Sequence, residues 1–258
     1  MSLSAQRIAP SIRTSIWAPL EAELAAWAAM GRIARFWWRD DDAIQPSAAL
    51  DRLLALAVPL ALAVIPAHAT VELAHRLAGV GRVTVLQHGI AHDNHAVPPA
   101  KKAELGTSRP AVSLAGALAE GRRKLEALFG VGFLPVLVPP WNRIADDLVP
   151  LLPQAGFIGL STAGPRRETM PGLRQVNSDL DPVDWRGTRR CRPAADLVAE
   201  TARHLAARRI GQDATPVGLL THHLLDDAGT ERFATGLARL IADHPAAAWT
   251  SAREIWPA

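Results

Sequence analysis

Short apolar, β-rich runs alternate along the chain with longer stretches whose apolar positions recur at helical spacing, the signature of a parallel α/β fold. Residues 33–38 read as a first strand, 47–57 as a helix capped by Ser47, and 60–65 as a second strand. The cycle repeats with a helix at 71–78, a strand at 83–86, a helix at 113–129 and a strand at 134–138. A helix at 146–155 and a strand at 157–160 follow, and a looser region runs from 161 to 193. The pattern resumes with a helix at 194–209, a strand at 217–220, a helix at 231–242 and a last strand near 247–249. The polar stretch 88–110 is too long for an ordinary connection, and such loops usually carry function. Neither a low-complexity linker nor a fixed-period repeat interrupts the order, which predicts one domain over 1–258 with residues 1–30 as an N-terminal helical extension.

Composition narrows the chemistry. The 258 residues, 49% apolar and 21% charged, suffice for a large core and are unlike a disordered or fibrous chain. Cys191 is the sole cysteine, so an internal disulfide and a thiolate zinc site are both excluded. Any metal must therefore rest on His, Asp or Glu. The net charge is +3, and only three of the 28 basic residues are lysines. The arginines are scattered from Arg7 to Arg253, and their tightest cluster, Arg186, Arg189, Arg190 and Arg192, falls in an apparent loop. Nucleic-acid modules gather charge on one face and interleave aromatics, so no nucleic-acid partner is expected. Charges at Arg7, Arg13, Glu21 and Glu23 break up the first 30 residues, and the apolar run 53–67 is split by Pro59. It is also shorter than the roughly 18 residues that a membrane helix needs. These features predict a cytoplasmic protein with no membrane association.

Candidate chemistry sits where the predicted strands end. Arg39-Asp40-Asp41-Asp42 closes the first, and three adjacent carboxylates in an apolar setting repel one another unless an arginine or a cation compensates. Polar loop starts and helix caps also use aspartate. His88-Gly89-Ile90-Ala91-His92 follows the third strand, with two imidazoles spaced to share one side of a helical turn and one ion. Two His and one carboxylate would leave a coordination position open, as catalytic sites do. His95 lies three residues further, as a surface residue or an added polar contact. Pro139-Pro140-Trp141-Asn142-Arg143 is a rigid turn presenting an aromatic and a polar group, and Thr221-His222-His223 ends a late strand with two groups in the pKa range for proton transfer. Asp181-Pro182-Val183-Asp184-Trp185 lies between them.

In this order the motifs resemble the polysaccharide deacetylases of carbohydrate esterase family 4, the NodB-homology domain, over roughly residues 33–225. The resemblance implies an irregular (β/α) barrel, often seven-stranded, that removes N- or O-acetyl groups with a divalent metal, commonly Zn2+. It implies Asp41 as general base and Asp42, His88 and His92 as metal ligands, with a one-residue slip giving Asp40 and Asp41 as the alternative. The general acid matches His222 better than His223. Pro140, Trp141, Asn142 and Trp185 would contact substrate, although Trp185 fits ordinary core packing as well. Asp40, Asp181 and His223 are candidate supporting groups. The chain departs from the family where an arginine usually orients the catalytic Asp: Val138 stands there, leaving Arg39 or Arg143 to replace it. The reading implied is a hydrolase acting on an acetylated carbohydrate or a related small amide. The alternative is a catalytically impaired relative that binds metal or carbohydrate. A nucleotide-binding protein ranks last, since no glycine-rich phosphate loop follows any strand.

Overall fold

Parallel strands with both faces covered are apolar throughout, and β-rich runs here have room to be buried on two sides. The computed structural model describes residues 15–164 and 170–257. It begins with helix α1 (Ala18–Ala29), then β1 (Ala34–Ala43), α2 (Ala48–Leu54), β2 (Leu60–Val64), α3 (Val71–Leu77), β3 (Val83–His88) and α4 (Ala111–Phe129). The second half holds β4 (Phe133–Val138), β5 (Gly159–Leu160), β6 (Arg174–Gln175), α5 (Ala194–Ile210), β7 (Val217–Thr221), α6 (Ala228–Asp243), β8 (Ala247–Trp249) and α7 (Ala252–Ile255). Ser47 caps α2 as expected, accepting from Leu50 N, and Thr70 and Asp227 cap α3 and α6 in the same way.

The strands pair in parallel in the order β6-β5-β4-β3-β2-β1-β7, with short β8 also on β1. Every residue of β2, β3 and β7 is buried. Outward side chains such as Phe36, Trp38, Leu62 and Leu219 pack into one core with Leu20, Leu24 and Phe233 of the helices. Inward ones, Trp37, Ala61, Ala63, Leu86 and Val136, form a second core with Ala252, Ile255 and Trp256 at its floor. Trp37 and Trp256 meet edge-on at 5.5 Å, an arrangement worth about 1 kcal/mol beyond burial. Gly159 permits it, because a Cβ there would lie 2.5 Å from Trp256 Nε1. The curled sheet is joined across its gap by irregular chain: Ser178 bridges to Ala163, and Leu180 to Leu219. The fold is the irregular (β/α) barrel of the NodB type, with seven strands in its main path.

Three expectations need correction. The segment 146–155 is not an α-helix; only Val149–Leu151 makes a 3₁₀ turn, because Pro150 and Pro153 cannot donate to a helical ladder. The strand expected at 157–160 shrinks to Gly159–Leu160. The aspartate run lies inside β1 rather than after it. Of the predicted N-terminal helical extension, α1 packs against α5, while residues 1–14 fall outside the described residues. Among the described residues no helix is long and apolar enough to cross a membrane.

Candidate active site

Adjacent residues of a regular strand point to opposite faces, so Asp41 and Asp42 could not both face the barrel interior without a break in the pleat. β1 supplies one. Its register with β2 shifts between Asp40 and Ala43, and Asp42 adopts φ +70°. Such a bulge re-aims a side chain at a sheet rim. Asp40 stays on the outer face, paired with Thr221 in register and bonded to it. Asp42 is the aspartate that joins the two histidines, whereas Asp41 is held by Arg39 and Asp40 by Thr221.

Asp42 Oδ1 lies 3.0 Å from His88 Nε2 and 3.3 Å from His92 Nε2. Among the described residues this is the only group of three or more His, Cys, Asp or Glu side chains with ligand atoms close enough to share an ion. His88 is buried at the end of β3. His92 does not follow on a helical turn as the spacing suggests; Gly89 at φ +56° and His92 at φ +63° reverse the chain in a loop. A side chain at Gly89 would meet Glu104 Oε2 at 2.1 Å and the Pro140 ring at 2.5 Å. Burial tends to raise the Asp42 pKa, but the hydrogen bond and charge of His88, with His222 and His92, hold it well below the carboxylate range. For His88, burial is outweighed by Asp42 and by the charge of Asp41, and the pKa rises. Burial and the neighbouring His88 lower that of His92. A carboxylate and two imidazoles with clustered ligand atoms fit a divalent cation of intermediate hardness.

Arg39 reaches Asp41 by two contacts, Nε to Oδ1 at 2.9 Å and Nη2 to Oδ2 at 3.0 Å. The guanidinium is wholly buried and also donates to Ser161 Oγ, Thr162 O and Asn142 Oδ1. Arg143 does not take this role; it is half-buried and donates to Lys102 O. Trp141 and Asn142 both adopt positive φ, at 54° and 56°, which turns Asn142 onto Arg39 and the Trp141 ring to 4.4 Å from His92. Backbone strain concentrated at one rim is characteristic of functional sites. Pro140 is buried under this turn.

His222 is buried, and its ring stands edge-on to Trp185 at 5.0 Å. Trp185 is 37% exposed, so it is not core packing. Its indole N–H donates to Asp181, whose pKa burial raises while the His222 charge opposes the rise. His223 faces away, bonded through Nδ1 to Asp40. His95 is half-buried and stands outside the cluster.

Sequence reasoning missed Glu104. Its carboxylate, 1% exposed, accepts from the backbone N–H groups of Ile90, Ala91 and Asp93 and so shapes the loop that carries His92. The signal was a lone Glu between Ala103 and Leu105, both buried apolar residues inside a polar loop.

No protein-family model and no curated protein sequence matches the chain. Solved structures do. A candidate polysaccharide deacetylase from Mycobacterium smegmatis superposes with a TM-score of 0.63 at 17% identity, covering 86% of this chain and 87% of that one. A carbohydrate esterase of family 4 from Streptococcus mutans gives 0.55 at 14%, covering 89% and 90%. A peptidoglycan deacetylase from Bacillus subtilis gives 0.52 at 15%, covering 87% and 90%. The chain has the fold shared by these deacetylases and esterases.

Proposed function

We propose that this protein is a metal-dependent hydrolase that removes acetyl or related acyl groups from a carbohydrate or a small amide. The observation that carries the reading is the convergence of Asp42, His88 and His92 on one point beside a buried, arginine-held carboxylate, Asp41. A divalent cation on those three residues, Zn2+ being the best match to the donor set, would polarise the acyl carbonyl and acidify a water. Asp41, held in place by Arg39, takes the proton from the attacking water. His222 gives a proton to the departing nitrogen or oxygen as the carbon–heteroatom bond breaks, releasing acetate and the free amine or alcohol. Asp181 accepts from the indole N–H of Trp185, the ring against which the His222 imidazole stands. Trp141 and Trp185 offer flat apolar walls on either side, suited to a sugar face or an acyl methyl. The Arg39–Asp41 pair supports catalysis over a binding-only role, since it answers the arginine missing at Val138.

The test is metal content together with acetate release from N-acetyl chito-oligosaccharides, acetylated xylan and small N-acetyl amides. The expected result is about one zinc per chain, turnover on at least one substrate and loss of turnover on chelation. Asp42→Ala and His88→Ala should abolish both binding and turnover. Unchanged metal content and hydrolysis in those variants would remove the assignment.

A further inference from the structure

The first aspartate of the run has no part in the reading above, yet it makes three hydrogen-bonding contacts and alone of the three lies on the outer face. Asp40 is completely buried. Its Oδ2 accepts from Thr221 Oγ1 at 2.6 Å and from the backbone N–H of His223 at 3.0 Å, and its Oδ1 meets His223 Nδ1. Trp38 Nε1 steadies the Thr221 hydroxyl from the other side at 2.8 Å. Thr221 and His223 are the two neighbours of His222 in the chain. One carboxylate oxygen therefore holds the Thr221 hydroxyl on one side of the proposed acid and the His223 backbone N–H on the other, across the β1–β7 pairing that sets Asp40 opposite Thr221.

We propose that Asp40 is a positioning residue for His222, a clamp on the outer face of the barrel that fixes where the inner-face imidazole stands. This rests on the reading of His222 as general acid. β7 ends at Thr221, and past it the chain turns, with His222 O accepting from the N–H groups of Leu225 and Asp226 and His222 N–H directed at Asp226 Oδ1, while the ring stands against Trp185. The turn holds the His222 backbone from its C-terminal side, and the Asp40 contacts to Thr221 and His223 fix the angle at which that turn leaves β7. A displacement of about 1 Å in a catalytic group costs on the order of 100-fold in rate. His223 supplies the partner that lets a carboxylate remain in an apolar layer, and its own imidazole is the third contact of the clamp rather than a second acid.

The clamp acts through hydrogen-bond geometry and not through the transfer of charge, and this separates it from a relay. Asp40→Asn keeps an acceptor for Thr221 and His223 N and can turn its amide toward His223 Nδ1, whereas Asp40→Ala keeps nothing. Thr221→Val removes one tether with little change in volume and serves if Asp40→Ala fails to fold. Each variant is assayed on an N-acetyl amide, which needs the departing nitrogen protonated, and on 4-nitrophenyl acetate, which does not. Asp40→Ala or Thr221→Val should lower kcat on the amide about 10- to 100-fold and on the activated ester less than about threefold, with zinc affinity unchanged. Asp40→Asn should recover most of the amide rate. Equal losses on both substrates, or an Asp40→Asn variant as poor as Asp40→Ala, would overturn the clamp. A wild-type protein inactive on every substrate refutes the hydrolase reading instead. In that case the imidazole NMR signals of the metal-free protein still decide: the His222 resonance should be single in wild type and broadened or doubled in Asp40→Ala, and an unaltered resonance overturns the clamp.

Discussion

Replacing Arg39 by Met tests the site at its most buried charge. The guanidinium is 0% exposed and Asp41 2%, so the variant strands a carboxylate in the barrel with Asn142, Ser161 and the Thr162 carbonyl deprived of their donor. Removing one partner of a buried pair costs about 3–5 kcal/mol. Asp41→Asn strands the guanidinium among neutral acceptors and should cost about 2–3 kcal/mol. In the double variant neither charge remains, so its loss should fall short of the sum by about 2–3 kcal/mol. Urea unfolding followed by fluorescence of the eight tryptophans reads all four corners of this cycle. Arg39→Lys should not rescue, because a single ammonium cannot span both carboxylate oxygens and reach Ser161 and Asn142 as well. Additivity within about 0.5 kcal/mol would refute the pair as an energetic unit and, with it, the claim that Arg39 replaces the arginine absent at Val138.

Other consequences are independent of that pair. Glu104→Ala frees three loop amides that are partly or wholly out of water, and should destabilise the protein by about 3 kcal/mol and weaken zinc binding about 10- to 100-fold, as measured by a competing chelator; unchanged affinity would show that the loop holds its shape without it. Asp226 is pushed up to about 7 by burial and the nearby Asp40 charge, so the folded state holds a proton there that the unfolded chain releases near 3.8. Its contribution is present below the unfolded pKa and lost as pH rises toward 7. The stability of Asp226→Asn minus wild type should therefore grow between about pH 4 and 8, by on the order of 2 kcal/mol given the partial exposure, and a flat difference in urea midpoints would contradict the shift.

The strands, their order and the residues at their ends were readable because burial on both faces imposes continuous apolar runs, and because the motifs fall at the C-terminal rim where a barrel places its chemistry. The helix at 146–155 was misread because its apolar spacing is helical while Pro150 and Pro153 forbid the bonds that such spacing would use. Spacing also suggested a helical turn for His88 and His92, whereas the actual device is a left-handed loop held by Glu104, a residue 12 positions beyond His92 in the chain. Long-range partners of this kind leave no local pattern. The same holds for Arg39: its position beside the aspartates was visible, but that it points inward to Asp41, and that Arg143 points away, depends on the pleat and on the turn at Trp141.

The bulge in β1 gives three identical letters three separate addresses. Asp40 answers to the strand across the outer face, Asp41 to an arginine in the barrel and Asp42 to two imidazoles at the rim. A deletion of one aspartate is thus a change of geometry and not a change of dose, for each of the three has its own partners and none reaches those of another. In evolutionary terms the three sites should drift separately. Asp41 and Asp42 answer to the chemistry, whereas Asp40 and His223 answer to one another, and relatives that have lost either should have lost both.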